Sequence, residues 1–283
     1  MISQDIKILG LIGYPLKHSI SYILHNFAFN YMNISAIYIN ISIPQENFKK
    51  AIEGLKYLPI YGLNVTIPYK ENIISYLDGL SDLAIKVKAV NTITVKDGFW
   101  YGDNTDVPGF IKTLEDSNLP KDISYLVLGA GGAGRGVTFS LCEYGVEKIY
   151  LTNRTKEKGE NLVKELKNYY PNIKIEFILW EEKEDFLNEP FIIINTTSLG
   201  LDGKSLPFKL SSKNNKKIFF VYDIIYNPYK TPLILLAEEY KIPWKNGLDM
   251  LIYQGIFSWK NWFGIMPPFE VLKREGEKYL CDF

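Results

Sequence analysis

Histidine, cysteine and arginine are scarce in this chain of 283 residues. Two histidines, His18 and His25, nearly exclude a Ser-His-Asp relay or a histidine-rich metal site. The two cysteines, Cys142 and Cys281, cannot build a disulfide framework, and no CxxC or Cys/His cluster points to zinc. Of the 32 basic residues, three are arginines: Arg135, Arg154 and Arg274. The lysine excess reads as compositional drift, against which an arginine stands out for its planar fork. Net charge is absent too, with 32 basic and 32 acidic residues, so the chain is not organised around counterion release from nucleic acid. No apolar run approaches the ~18–20 residues that span a bilayer. The N-terminal stretch carries Asp5 and Lys7 and runs into Pro15 and Lys17, unlike an export signal. The expectation is a cytoplasmic protein with neither nucleic-acid nor membrane partner.

What is present is a soluble α/β composition, 47% hydrophobic and 23% charged, long enough for two domains. In the first half, Ile6–Ile12 reads as a buried strand, and Ser19 or Ser21 as the cap of a helix through Ile23, Leu24, Phe27 and Met32. Ala36–Ile43 alternates as a strand, Asn47–Lys56 is helical, and Tyr61–Ile67 is a strand with Pro68 opening the next helix. Val90–Val95 and Gly98–Tyr101 form two strands around a tight turn at Lys96-Asp97-Gly98. After Pro120, strands at Ile123–Leu128, Lys148–Leu151, Phe191–Ile194, Ile218–Tyr222 and near Ile242–Trp244 alternate with helices, including Lys156–Tyr170. That rhythm implies βαβ units and a parallel sheet. Leu248, Leu251, Ile252, Gly255, Trp259, Trp262 and Phe263 share one face of a late helix, with Gln254 about a third of a turn off its centre. The domain boundary is expected within Val107–Asp122.

Gly129-Ala130-Gly131-Gly132-Ala133-Gly134 follows a strand and opens a helix, and its glycines at 129, 131 and 134 fit G-x-G-x-x-G. Glycine there makes the turn tight, admits a pyrophosphate to the backbone and packs helix on strand. The helix N-terminus adds free N–H groups and partial positive charge. Beyond the next strand, where an NAD site carries a carboxylate, stand Asn153, Arg154 and Thr155. Arg154, the Thr155 hydroxyl and Lys158 suit a 2′-phosphate instead, so NADP is the expected cofactor; a helix cap with an exposed charge is the plainer alternative.

Four polar clusters fall at strand ends of the first half: Lys17–Ser21, Asn64–Lys70, Ala89–Thr92 and Gly102–Asp106. Hydroxyls, amides, Lys70 and Asp106 suit a small polyhydroxylated anion, although Asn64 or Asn91 alone would read as turn formers. Together these residues resemble the shikimate dehydrogenase family. The match covers His18-Ser19-Ile20-Ser21, Asn64-Val65-Thr66-Ile67-Pro68-Tyr69-Lys70, Ala89-Val90-Asn91-Thr92 and Gly102–Asp106. It continues through Gly129–Gly136 with its basic Arg135, Asn153-Arg154-Thr155, Asn195-Thr196-Thr197-Ser198 and Gly247–Gln254. Lys88 and Asp249 stand where the family usually has glycine, Tyr22 where it has proline, and Lys158 where it has arginine.

The resemblance implies an α/β fold of two domains. An N-terminal substrate domain with a mainly parallel sheet, residues 1–106, is joined by C-terminal helices over 248–283. A doubly wound Rossmann-like NADP domain occupies 121–245, with a linker helix over 107–120. It further implies the reversible, NADPH-dependent reduction of 3-dehydroshikimate to shikimate, a step towards chorismate and the aromatic amino acids. Lys70 would be the acid/base group, held by Asp106, since a lysine is an ammonium at neutral pH. Ser19 and Ser21, with Tyr226, would bind the substrate carboxylate, and Thr66, Asn91 and Gln254 its ring hydroxyls. Gly129–Gly134, Asn153, Arg154, Thr155, Lys158, Thr196, Thr197, Ser198, Gly247 and Met250 would hold NADP, Met250 at the nicotinamide. His18 and His25 are expected to be loop and packing residues. A monomer or a homodimer would serve. A broader quinate/shikimate dehydrogenase accepting NAD, and a non-catalytic sensor of a small acid and a dinucleotide, are the competing readings.

Overall fold

A computed structural model of the chain describes residues 6–184, 189–211 and 214–281. Asp5, weighed above in the N-terminal stretch, and the last two residues of the expected C-terminal helices lie outside these. The described chain divides into two compact units, one of residues 1–109 with 251–283 and the other of residues 110–250. Among the described residues, no helix is long and apolar enough to cross a membrane.

In the first unit, strands β1 (Lys7–Gly13), β2 (Ala36–Ser42), β3 (Ile60–Val65), β4 (Gly79–Leu80), β5 (Thr92–Lys96) and β6 (Phe99–Asp103) form one sheet in the order β2-β1-β3-β5-β6-β4. β1 pairs in parallel with β2 and β3, while β5 runs antiparallel to β3 and β6. The β5–β6 turn is the expected one: Asp97 (φ 53°) and Gly98 (φ 81°) supply the two positive angles that a two-residue hairpin loop demands. Helices α1 (Ser21–Tyr31), α2 (Phe48–Leu55) and α3 (Asp82–Val87) connect the strands. Ile12, Leu63, Val65, Ile93 and Trp100 pack with Phe48, Ile52 and Tyr69 in the core.

Three local expectations are corrected. Neither Ser19 nor Ser21 caps α1: the cap position is Ile20, whose carbonyl takes the N–H groups of Ile23 and Leu24, and Ser19 Oγ instead accepts the Ser21 N–H at 3.3 Å. Pro68 does not open a helix, because Tyr69 N–H closes a turn on the Thr66 carbonyl and Val90 N–H takes the Lys70 carbonyl. The Asn47–Lys56 segment is α-helical only from Phe48, behind a 3₁₀ turn at Gln45–Asn47. Helix α3 was not anticipated. Ser81 Oγ caps it by accepting the Ala84 N–H, and it ends at Lys88 with φ 55°, a left-handed position that explains the glycine of the family pattern.

The second unit contains β7 (Ser124–Leu128), β8 (Lys148–Thr152), β9 (Lys174–Ile178), β10 (Phe191–Asn195), β11 (Ile218–Asp223) and β12 (Trp244–Lys245), after helix α4 (Asp106–Asp116), which begins in the first unit. All strands are parallel, in the order β12-β11-β10-β7-β8-β9. Each crossover carries a helix or turn, among them α5 (Gly132–Tyr144), α6 (Lys156–Tyr169) and α7 (Pro232–Glu239). β7 and β10 are buried throughout, as strands covered on both faces must be. Gly145 (φ 87°) stops α5 as expected. β9 and α7 escaped the sequence reading. Yet Thr231-Pro232 is a strong start signal, with Thr231 Oγ1 accepting from Ile234 N–H and Pro232 at the first helical position. Helix α8 (Leu248–Phe263) carries the chain back into the first unit, and α9 (Phe269–Cys281) follows.

Candidate functional site

In the first unit, the carboxyl ends of β1 and β3 are sewn together: Thr66 N–H donates to the Ile12 carbonyl and Tyr14 N–H to that of Ile67. Gly13 permits this approach, since a Cβ there would lie 2.4 Å from Thr66 Cγ2. Lys70 follows in the turn after β3. It is anchored by its neighbour Tyr69, a buried ring stacked on Phe48 with centroids 4.1 Å apart.

Lys70 Nζ donates to Asp106 Oδ2 at 2.6 Å, both side chains being largely shielded. Asp106 begins α4, and its second oxygen accepts from Asn91 Nδ2 at 2.9 Å. Asn91, only 2% exposed, is fixed in turn: its Oδ1 takes the Thr105 N–H at 2.7 Å, and its Nδ2 also faces Gln254 Oε1 at 3.2 Å. Lys70, Asp106, Asn91 and Gln254 are therefore one constellation. Gly109 lets it close, because a Cβ there would stand 2.8 Å from the Gln254 backbone nitrogen. Ser21 and Gln254 line one small cavity with His25 and Trp259. Ser19 Oγ donates to Ser21 Oγ at 3.3 Å.

Beneath lies a support that the sequence did not disclose. Asn64 Nδ2 donates to the Asn91 carbonyl, to Thr92 Oγ1 and to Ser258 Oγ at 2.9–3.1 Å, and its Oδ1 accepts from Tyr38 O–H at 2.8 Å. Asn64 is thus a buried brace. Ser258 carried a faint signal, a hydroxyl one turn from Gln254 inside an apolar stripe. His25 is a packing residue, stacked on Tyr38 and accepting Trp259 Nε1–H at its Nδ1 (2.9 Å). Burial pushes its pKa down to about 3. His18 is exposed in the loop before α1.

In the second unit, Gly129 (φ 110°) makes the turn out of β7, and Gly134 packs so closely that a Cβ would meet the Gly129 carbonyl oxygen at 2.1 Å. Gly131 and Gly132 differ. A Cβ at either would meet nothing within 4 Å, so their bareness serves the space outside the chain. That open cradle at the uncapped start of a 13-residue helix fits a pyrophosphate. Thr196 Oγ1 donates to the Leu128 carbonyl at 2.7 Å and supports the turn from below, while Ala130 N–H donates to Asn153 Oδ1 at 3.0 Å. Arg154, Thr155 and Lys158 are exposed beyond β8, and the Thr155 side chain caps nothing. Arg135 is committed elsewhere, paired through both terminal nitrogens with Glu165 of α6 at 2.8 and 2.9 Å. Thr197 donates its N–H and hydroxyl to Asn195 Oδ1, next to an exposed Ser198. Tyr226 and Met250 are half-buried, and Gly247 is pressed against the Ile224 carbonyl. Asp249, in place of glycine, is buried and paired with Lys245 at 2.8 Å.

An all-parallel sheet reversing its order between β7 and β10, with this glycine turn, defines a dinucleotide-binding α/β protein of the Rossmann type. Family profiles match three segments: the shikimate dehydrogenase substrate binding domain over residues 11–93, shikimate / quinate 5-dehydrogenase over 114–222, and the shikimate 5′-dehydrogenase C-terminal domain over 247–275. A shikimate dehydrogenase (NADP(+)) of Dictyoglomus turgidum is 56% identical over 280 residues, covering 99% of this chain and all of the relative. The chain belongs to the shikimate dehydrogenase family. Among solved structures, a shikimate dehydrogenase in complex with NADP+ is 37% identical, with a TM-score of 0.88 over 99% of this chain and 98% of the other. The shikimate 5-dehydrogenase of Thermus thermophilus, in complex with NADP(H) and shikimate, is 28% identical, with a TM-score of 0.84 over 96% of this chain and 99% of that one.

Proposed function

We propose that this chain is an NADP-dependent oxidoreductase that reversibly reduces 3-dehydroshikimate to shikimate, with Lys70 as acid/base and Asp106 as its holder. The observation that carries the roles is the 2.6 Å contact between Lys70 Nζ and Asp106 Oδ2, with Asn91 and Gln254 alongside. Bound NADPH supplies the hydride. The protein must then orient the carbonyl and deliver one proton to the oxygen as it becomes an alkoxide. The Lys70 ammonium has that proton, and Asp106 keeps it aimed. In the reverse direction Lys70 accepts the proton from the shikimate hydroxyl. Ser19, Ser21 and Tyr226 take the substrate carboxylate, and Thr66, Asn91 and Gln254 the ring hydroxyls.

On the cofactor side, the Gly129–Gly134 turn receives the pyrophosphate. Arg154, Thr155 and Lys158 bind the 2′-phosphate where a carboxylate would repel it. Thr196, Thr197, Ser198 and Gly247 bind the cofactor as well, with Met250 at the nicotinamide. In this division, residues 1–106 and 248–283 hold substrate, 121–245 hold NADP and 107–120 connect them. The setting is the cytoplasm, as a monomer or homodimer.

Oxidation of shikimate and of quinate, with NADP and with NAD, followed by the absorbance of reduced nicotinamide, tests the reading. Shikimate with NADP is expected to be fastest. Equal rates with quinate and NAD would replace it by the broader enzyme, and binding of both ligands without turnover would replace it by a sensor.

A further inference from the structure

Asp223 has no part in the chemistry above, yet it is a carboxylate with no exposed surface at the end of β11. Its Oδ1 accepts from Asn195 Nδ2 at 3.0 Å and from the Ile225 N–H at 3.1 Å, and its Oδ2 accepts from Thr231 Oγ1 at 2.7 Å. These three partners govern two loops. Asn195 ends β10 and holds the following turn, since its Oδ1 accepts both the N–H and the hydroxyl of Thr197. Ile225 and Thr231 bracket the loop that bears Tyr226, and Thr231 caps α7. Gly247 N–H donates to the Ile225 carbonyl, and a Cβ at Gly247 would stand 1.8 Å from the Ile224 oxygen, so the turn leading to Met250 rests on the same segment. These loops leave β10, β11 and β12, the half of the sheet beyond its reversal. In such sheets each half takes one mononucleotide, and the β8 side takes the adenosine.

From this we infer that Asp223 is a positioning residue for the nicotinamide half of NADP(H), its single carboxylate keeping the Thr197–Ser198 turn and the Tyr226 loop in register. The inference rests on the proposed cofactor site. Every group that faces the carboxylate is a neutral donor, and burial raises its pKa to about 6. A buried charge with neutral partners is costly where an apolar side chain would pack. Its service is therefore to fix loops that two donors from one side could not.

Calorimetric titration of the full chain with NADP+ and with adenosine 2′,5′-bisphosphate separates this role from a merely structural one. The bisphosphate engages the Arg154 turn and none of the loops tied by Asp223. Asp223→Ala should weaken NADP+ about tenfold or more and leave the bisphosphate within about twofold of wild type. Asp223→Asn keeps an oxygen towards Asn195 and Ile225 and should recover NADP+ affinity to within about threefold. Unaltered NADP+ binding in Asp223→Ala, or equal weakening of both ligands, would overturn the role. If Asp223→Ala does not fold, Thr231→Val decides: a loss of about threefold for NADP+ alone is expected, and no loss overturns it. A wild-type chain that binds neither ligand would instead overturn the functional reading, and this one with it.

Discussion

Asn91 Nδ2 donates to Asp106 Oδ1 at 2.9 Å, leaving the other carboxylate oxygen to Lys70. Asp106 is therefore oriented from two sides, and its place does not depend on the lysine. The acid and the group that aims it can be separated by experiment.

Lys70→Ala should lower kcat by ~10²-fold or more and change KM for shikimate little, because the binding groups around Asp106 stay put. Steady-state kinetics with NADP checks this, and a near-normal kcat would remove Lys70 from the mechanism.

Arg154→Ala should raise KM for NADP much more than for NAD if its exposed guanidinium binds the 2′-phosphate as proposed. Equal effects on the two cofactors would refute that recognition.

The glycines of the turn divide into two kinds, and alanine tells them apart. Gly134→Ala forces a methyl to 2.1 Å from the Gly129 oxygen and should destabilise the fold by several kcal/mol, on the order of an overpacked core site. Gly132→Ala meets nothing within 4 Å, so Tm should hold or rise slightly while NADP affinity falls. Thermal melts and NADP titration of the two variants give the comparison.

Lys88 holds a left-handed backbone at the end of α3. Lys88→Gly should stabilise the protein by about 1 kcal/mol and leave kcat unchanged. A lower Tm would show that the lysine side chain contributes more than its backbone costs.

Acid sensitivity has a named source in His25. Burial lowers its pKa to about 3, against 6.5 for the free side chain, so it is neutral when folded while the unfolded chain takes up a proton. Stability from this group is present above pH 6.5 and is lost as pH falls towards 3, by up to about 1.4 kcal/mol per pH unit. Asp223 acts in the opposite sense: its pKa of about 6 lies above the 3.8 of the free group, so its contribution falls as pH rises between those values. His25→Gln keeps an acceptor for Trp259 and should make the acid slope of unfolding free energy shallower by about one proton. An unchanged slope would place the sensitivity elsewhere.

Much of this was legible because backbone demands write themselves as residue types. The Gly129–Gly134 spacing between strand and helix fixed the nucleotide turn, and Asp97-Gly98 fixed the β5–β6 hairpin. Lys70, Asp106, Asn91 and Gln254 were readable as members of motifs, and the fold brings them within hydrogen-bond reach. What stayed hidden depends on partners distant in the chain. Asn64 reads as a turn former until Tyr38 and Ser258 surround it, and Asp223 shows no role until Asn195 and Thr231 converge on it. Ser19 and Ser21 look like caps by composition, but the Ile20 carbonyl closes the first turn of α1 instead. Lys88 is a case where local preference pointed away from the conformation adopted, and tertiary context prevailed.

Trp262, near the end of α8, stands over Gly62 of β3 so closely that a Cβ on the glycine would lie 2.4 Å from the indole nitrogen, which itself donates to the Ile93 carbonyl at 3.0 Å. The sheet laid down by the first hundred residues is thus finished by a side chain made more than a hundred and fifty residues later. During translation the nucleotide-binding unit, continuous in sequence, has all of its strands before the earlier unit receives its closing helix. The part of the protein that is synthesised first is the part that must wait.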